Sequence, residues 1–272
     1  MSSATRICFD CTQCGRCCHD LRLTLSLDEA IVWAGNGHQV QLLCEAIPWP
    51  RDPLPDEREL ANRRDTSFAV EIGGMPFRVH VMLVAYHQGA CPHLQPDMRC
   101  GNYAERPRIC RIYPLESRPF TPMDPVSRRC PDEAWAGEAP VLLENGVIAD
   151  PAAQTIVAAH RQARIDDTAA LEVACAQFGI SDAAFAGEGM AVHTPDPAKL
   201  VKILGEARES SAALPGVGHW EIVTNRQATV ELLREAQCPA RLVSSATAFL
   251  GSFEPDMQGS GSIDDDRALH AL

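Results

Sequence analysis

The chain has 272 residues, of which 46% are hydrophobic, 6% aromatic and 22% charged, so it has enough apolar residues to bury a core. Its formal net charge of -12 argues against nucleic acid or an anionic membrane as the main binding partner. The sequence has no apolar run of about 18 residues and no hydrophobic segment at its start, so we expect neither a membrane span nor a secretory signal and predict a cytoplasmic protein.

The first predicted elements are a strand and a helix. Residues 21–25 alternate apolar and polar side chains, which is typical of a strand. Ser26 and Glu29 have the spacing of a helix capping box. A helix should therefore begin here and end near residues 35–37, which read Gly-Asn-Gly.

The next segment is predicted to contain a surface excursion and a β-hairpin. Residues 48–65 hold four prolines among charged side chains, a composition typical of exposed, irregular chain. Residues 68–72 and 77–86 resemble two strands joined through a Gly-Gly turn. The second strand of this hairpin would lead the chain towards Cys91.

The second half of the chain carries mainly helical signals. Asp150-Pro151 and Asp196-Pro197 are each suited to a helix start, with aspartate as N-cap and proline in the first turn. A third helix is predicted over residues 227–237. The fold class predicted from these patterns is α+β.

Three parts of the chain are predicted. Residues 1–135 would form a small, loop-rich cysteine domain with a β-hairpin and short helices. Residues 136–250 would form an α-helical region that packs on it. Residues 251–272 are rich in glycine, serine and aspartate without an apolar period, and are predicted to be a disordered acidic tail.

The 12 cysteines are the unusual feature of the composition. In a reducing compartment, thiols are rarely kept as structural disulfides and more often act as metal ligands or redox groups. Five of them lie within residues 8–18, a density that packing does not require. The two groups of interest are Cys8, Cys11, Cys14, Cys17 and Cys18, followed by Cys91, Cys100, Cys110 and Cys130.

The spacing in the first group favours a metal site. Two-residue spacing lets successive thiolates point from a tight turn onto one ion or cluster. Cys8, Cys11, Cys14 and Cys18 reproduce the spacing of a bacterial ferredoxin run, in which the fourth cysteine serves a second cluster. Because the adjacent Cys17 and Cys18 seldom share one ion comfortably, they are predicted to face two centres or a polynuclear one.

The number of thiols leaves two kinds of metal site open. Without Cys8 the two groups provide eight thiols, enough for two iron-sulfur clusters or two tetrahedral four-thiolate zinc sites. Spacing alone does not choose between the metals, since it constrains ligand geometry more than metal identity.

Three motifs carry a resemblance to a known family. Residues 9–18 read FDCTQCGRCC, residues 91–94 read CPHL, and residues 100–114 read CGNYAERPRICRIYP. Together they closely resemble the YkgJ-type cysteine-cluster family, the zinc- or iron-chelating CxxCxxCC domain, over residues 7–131. The resemblance implies these metal ligands: Cys11, Cys14, Cys17, Cys18, Cys91, Cys100, Cys110 and Cys130. Cys8 is additional to the usual pattern.

The family resemblance does not identify the reaction that this protein would catalyse. Some members of the family are associated with flagellin lysine N-methylation that uses S-adenosylmethionine and an iron-sulfur cluster. No methylase region is recognisable after residue 135. The radical S-adenosylmethionine motif C-x3-C-x2-C is also absent, because its third position after Cys14 and Cys18 is Leu21.

Several other residues have both a functional and a structural interpretation. Arginines near the second group would offset thiolate charge or bind an anionic substrate group, or simply form a solvated face. Tyr113 would be a proton donor or a buried hydrogen-bonding residue. Four histidines are alternative ligands: His19, His80, His87 and His93. Three isolated cysteines are predicted to be buried and to pack as small hydrophobic residues: Cys44, Cys175 and Cys238. The arginines are Arg99, Arg106, Arg108, Arg111, Arg118, Arg128 and Arg129.

The leading hypothesis from the sequence is a cytoplasmic metalloprotein with one or two iron-sulfur clusters of the 4Fe-4S type, used in redox or modification chemistry. A protein or small-molecule substrate and an electron-transfer partner are expected. The alternative is a Zn²⁺-binding structural or interaction module without catalysis. A metal-delivery protein ranks last, because it would need labile, exposed sites.

Overall fold

The structure is a computed structural model that describes residues 6–210, 219–243, 245 and 247–252. The chain forms two compact units, the first made of Met1–Leu23 and His87–Ala163, the second of Thr24–Tyr86 and Arg164–Leu272. The predicted division at residues 135 and 250 stays a prediction. No helix in the described ranges has the length and apolar character needed to cross a membrane.

The described residues contain seven α-helices and twelve strands, which confirms the α+β class. The helices are α1 Leu27–Gly35, α2 Arg58–Asp65, α3 Arg108–Ile112, α4 Pro151–Asp166, α5 Thr168–Phe178, α6 Pro197–Glu209 and α7 Gln227–Glu235. The strands are β1 Arg6–Cys8, β2 His19–Leu25, β3 Val40–Pro48, β4 Phe68–Ile72, β5 Met75–Ala90, β6 Val141–Glu144, β7 Val147–Ile148, β8 Asp182–Phe185, β9 Gly189–His193, β10 Glu221–Thr224, β11 Ala240–Leu242 and β12 Phe249–Gly251.

The first unit is built around a small antiparallel sheet and one apolar cluster. Strand β6 lies between β1 and β7. Ile112 of α3, Leu143 of β6 and Val157 of α4 are buried together with Leu115. This cluster fixes the short helix α3, which carries Cys110.

The second unit contains most of a mixed nine-stranded sheet. Its main path runs β11-β10-β8-β3-β5-β2, with β4 beside β5 and β9 between β3 and β12. Neighbours among β3, β8, β10 and β11 are parallel, whereas β5 is antiparallel to β3, with Leu42 opposite Leu83. Helix α6 packs against α1 and α5 and buries Leu200 and Leu204 completely.

Most of the elements predicted from local signals are present. The Ser26 hydroxyl caps α1 at the Glu29 N–H, 3.3 Å away, and the Glu29 carboxylate accepts from the Ser26 N–H at 2.9 Å. The hairpin of β4 and β5 and the helices α4, α6 and α7 are confirmed. The Asp196 side chain caps α6 by accepting from the Lys199 N–H at 3.0 Å.

Strands after residue 135 and the central strand β3 were not predicted. Strand β3 is buried on both faces along most of its length, so its sequence lacks the alternation that marks a half-exposed strand. The predicted helical region also contains the short strands β6 to β12. Helix α2 lies within the predicted surface excursion and has no buried residue.

The predicted tail begins too early. Gly251 lies in β12, where it pairs with Gly189, and the Ser252 N–H donates to the Glu188 carbonyl at 2.8 Å. The prediction that disorder starts at Gly251 is therefore wrong for these two residues. Residues 253–272 lie outside the described residues.

Candidate metal centre

The first cysteine run is a loop between β1 and β2. Within it the Cys18 N–H donates to the Gly15 carbonyl at 2.9 Å. Gly15 has a φ of +69°, and a Cβ on it would lie 2.6 Å from the Met98 carbonyl oxygen. Glycine is therefore needed both for the left-handed backbone and for the close approach of residue 98. This approach brings the first run beside the chain that carries the second cysteine group.

Backbone contacts bring cysteines of the two runs together. The Cys91 N–H donates to the Cys18 carbonyl at 2.7 Å. The chain then turns, with the Leu94 N–H donating to the Cys91 carbonyl at 2.9 Å, and Leu94 forms an antiparallel bridge with Cys100. Three of the predicted ligands are thus positioned by a compact set of backbone contacts.

Four thiols influence one another electrostatically, and we call them the Cys110 group: Cys18, Cys91, Cys100 and Cys110. Burial and the neighbouring thiols raise the pKa of Cys110 to about 12. Burial and two of these neighbours, Cys18 and Cys100, also raise the pKa of Cys91. The Arg106 guanidinium acts in the opposite direction and lowers the pKa of Cys18 and of Cys110. It therefore favours thiolates at this group.

Two further thiols act electrostatically on Cys130, and we call these three the Cys130 group: Cys11, Cys14 and Cys130. Burial raises the pKa of Cys130, and the charges of Cys14 and Cys11 raise it further. A hydrogen bond from Tyr113 and the charge of Arg128 lower it. Each thiol group therefore has its own arginine.

Cys17 lies next to both groups. Its sulfur is 4.0 Å from the Cys18 sulfur. Their hydrogen bond, followed by burial and the charge of Cys17, raises the pKa of Cys18 well above its ordinary value. Cys17 also raises the pKa of Tyr113, which hydrogen-bonds Cys130. Cys17 therefore contacts a thiol of the Cys110 group and acts on the tyrosine that affects Cys130.

The thiols approach one another without forming a complete coordination shell. In the part of the chain that the structure describes, no three His, Cys, Asp or Glu side chains are arranged as a metal-ion site. Cys8 lies on β1, opposite Val141. Among the alternative ligands, the His19 ring lies 3.2 Å from the Gly15 carbonyl, and the His80 ring pairs with Glu45 in the second unit.

The predicted arginine shell divides into residues that contact the site and residues that do not. Arg106 donates to the Tyr103 carbonyl at 2.9 Å and stacks on the Tyr103 ring. Arg129 donates from its side chain to the His19 carbonyl at 2.7 Å. Arg99 and Arg111 are exposed. Of the seven predicted arginines, Arg106 lowers the pKa of Cys18 and Cys110. Arg128 lowers the pKa of Cys130.

One contact between cysteines had no signal in the sequence. Cys44 and Cys175 are fully buried in the second unit, and their side chains hydrogen-bond each other. Cys238 is buried as well, so the prediction of three buried cysteines is confirmed. The contact joins β3 to α5, which are far apart in the sequence.

A family comparison matches the part of the chain that carries both cysteine groups. The model of the CxxCxxCC family, described as a putative zinc- or iron-chelating domain, matches residues 10–131, somewhat under half of the chain. We refer to the matched residues 10–131 as the CxxCxxCC domain. No curated protein and no solved structure matches the chain significantly.

The donor chemistry of the CxxCxxCC domain fits both metals in its description. Thiolate sulfur is a ligand that zinc and iron-sulfur clusters both accept. Crowded thiols with raised pKa values are protonated at neutral pH, and a bound cation would displace these protons and offset the repulsion between thiolates. The sulfur ligands of these residues therefore suit either metal that the family description names.

Proposed function

We propose that the CxxCxxCC domain holds two iron-sulfur clusters of the 4Fe-4S type, and that the protein uses them in redox or modification chemistry. One centre would use the Cys110 group. The other would use the Cys130 group completed by Cys17. This assignment gives each centre four thiolates, the usual number for such a cluster.

The observation that carries this proposal is the division of the thiols into two sets, each beside a different arginine. Arg106 lowers the pKa of two thiols in the Cys110 group, and Arg128 lowers the pKa of Cys130. Thiolate-ligated iron-sulfur clusters carry negative charge, so a nearby guanidinium stabilises them. Each proposed centre would thus have one guanidinium beside it.

The chain's own residues would bind and orient the clusters. Bound clusters would supply electron transfer or Lewis-acid chemistry. The thiols would release their protons on binding, and the half-buried positions of most of them would restrict water around the sulfurs. Gly15 and the Cys91–Cys18 hydrogen bond would hold the two cysteine runs at a fixed separation.

We further propose a cytoplasmic location, where thiols stay reduced, and a protein or small-molecule substrate served by an electron-transfer partner. The negative net charge of -12 supports a partner other than nucleic acid or an anionic membrane.

Metal analysis of protein purified without oxygen tests the proposal. Iron and acid-labile sulfide in equal amounts, about four of each per cluster, together with a broad band near roughly 400 nm, would support it. Absence of both iron and sulfide from that preparation would refute it.

The second candidate is a zinc-binding structural or interaction module. Each group of four thiols also suits one tetrahedral Zn²⁺, and the family description includes zinc. A colourless protein with about two zinc ions that unfolds when the metal is chelated would establish this function instead.

A further inference from the structure

His80 lies in strand β5, at the centre of a chain of polar contacts in the second unit. It is paired with Glu45 of β3, and its Nδ1 lies 3.1 Å from the Glu45 carboxylate. Its Nε2 lies 2.9 Å from Nη2 of Arg164, in the last turn of α4. The side chains of His80 and Glu45 are only 12% and 20% exposed. Both ring nitrogens therefore have protein partners, and neither is left to bind a metal.

The two neighbours determine where the ring proton of His80 lies. An arginine side chain has only N–H donors, so Nε2 must accept from Arg164 and carries no proton. The Glu45 carboxylate is an acceptor, so the ring proton lies on Nδ1 and is donated to it. The contacts thus require a neutral His80 with its proton on Nδ1.

A second proton on His80 breaks one of these contacts. It would place an N–H on Nε2, facing a permanently charged guanidinium 2.9 Å away. The bond to Glu45 would persist, because Nδ1 keeps its proton. Arg63 of α2 is a further charged group that acts on Glu45. Of the two contacts that the His80 ring makes here, only the one with Arg164 requires a neutral ring.

Arg164 connects this network to the end of a helix. Helix α4 ends at Asp166, and the boundary between the two units of the chain lies between Ala163 and Arg164. The Arg164 carbonyl accepts from the hydroxyl of Thr168, the first residue of α5, at 3.1 Å. The contact with His80 therefore holds the junction between α4 and α5 on the sheet.

We propose that His80 is a pH-sensitive switch for this junction. When neutral, it accepts from Arg164 and holds the end of α4 on β5; when protonated, it loses that bond and the junction loosens. Histidines take up a proton over roughly pH 5–8, so mild acidification would open the switch. The inference goes beyond the proposed function and does not depend on a bound metal.

The first test needs no substitution. Side-chain nitrogen NMR of the full chain should show His80 with its proton on Nδ1 alone at roughly pH 8, and with protons on both ring nitrogens at roughly pH 5. Disappearance of the signals in His80→Gln assigns them. A neutral His80 with its proton on Nε2 would overturn the proposal.

Hydrogen exchange tests the opening of the junction. In the wild type, the backbone of residues 160–168 should exchange roughly two- to ten-fold faster at about pH 5 than at about pH 8, after correction for the intrinsic rates, because one hydrogen bond is lost. His80→Gln should lose this difference, since an amide keeps a donor for Glu45 and an acceptor for Arg164 but does not titrate.

His193→Gln is the matched control. His193 also lies in a strand of the second unit, with Nε2 3.2 Å from the Asp182 carbonyl, and its replacement should leave the response of residues 160–168 unchanged. Equal corrected rates at both pH values in the wild type, or an undiminished difference in His80→Gln, would refute the switch. Neither readout requires iron or zinc, so failure of the proposed function would leave both results interpretable.

Discussion

The sulfur atoms of Cys17 and Cys18 lie 4.0 Å apart, yet their other neighbours differ. Cys18 interacts with Cys91 and Cys110, whereas Cys17 acts on Tyr113, which hydrogen-bonds Cys130. The two residues lie in the tight turn that the Cys18 N–H closes on the Gly15 carbonyl, 2.9 Å away. The Cys17-Cys18 pair is thus the link between the two proposed metal centres.

Replacing Cys18 should remove one centre, whereas replacing Cys8 should remove none. Cys18→Ser takes one sulfur from the Cys110 group, and we expect about half of the bound metal to be lost. Cys8→Ser is the matched control in the same cysteine run, and it should retain the wild-type metal content. Metal analysis of both purified variants checks this; an equal loss in Cys8→Ser would make Cys8 a ligand.

Arg106→Gln should weaken metal binding at the Cys110 group. The guanidinium lowers the pKa of Cys18 and Cys110, so its removal leaves these thiols harder to deprotonate. We expect an affinity loss of roughly two- to ten-fold at neutral pH in a chelator competition, since the charge is partly screened by water. Arg111→Gln, which removes an exposed arginine of α3, is the control and should bind metal as the wild type does.

Gly15→Ala should disrupt the cysteine loop more than Gly37→Ala disrupts its own turn. Both glycines have positive φ, +69° and +81°, but only Gly15 has a carbonyl oxygen 2.6 Å from the position of a Cβ. The alanine at position 37 should cost about 1 kcal/mol of backbone strain, whereas that at position 15 adds a steric clash. Metal content and thermal unfolding measure the difference, and equal effects would contradict the close approach of residue 98.

Glu45→Gln tests an ion pair in the second unit. The Glu45 carboxylate lies 3.1 Å from His80 Nδ1. Burial raises the pKa of Glu45, but the hydrogen bond and charge of His80, together with Arg63 and Arg164, lower it below its ordinary value of 4.5. A carboxyl group with a lowered folded-state pKa stabilises the fold above its unfolded-state pKa, and this contribution disappears as pH falls through the folded-state value.

Glu45→Gln should therefore be less stable than the wild type by about 1–3 kcal/mol at pH 7, and the difference should shrink below about pH 4.5. Denaturant unfolding of both proteins at several pH values provides the measurement. A difference that stays constant down to pH 3 would show that the Glu45 charge does not stabilise the fold.

Sequence patterns predicted the elements whose caps and turns are determined by a few neighbouring residues. The capping box at Ser26 and Glu29, the Asp196-Pro197 start and the Gly73-Gly74 turn each act within a few residues, and each is present in the structure. Strand β3 escaped prediction because both of its faces are buried, so polar and apolar side chains do not alternate along it. The short strands β8 and β10 are defined by their parallel pairing with distant chain, which no local pattern records.

The candidate site was predictable in composition but not in arrangement. Cysteine spacing and the family motifs named eight thiols, but they did not reveal the backbone contacts that bring Cys91 to Cys18 and Cys100 to Leu94. From the sequence, Tyr113 was either a proton donor or a buried hydrogen-bonding residue. Its hydrogen bonds with the Arg129 N–H and with Cys130 support the hydrogen-bonding interpretation. The Cys44–Cys175 contact likewise depends on the packing of α5 on the sheet.

The central claim is that the domain contains two separate four-thiolate iron-sulfur centres. Its most direct test is the iron and sulfide content per chain of anaerobically purified wild type, Cys100→Ser and Cys130→Ser. The account predicts that each variant keeps about half of the wild-type iron and sulfide, because each loses a ligand of a different centre. Loss of all iron in either variant, or no loss in both, would contradict two independent centres.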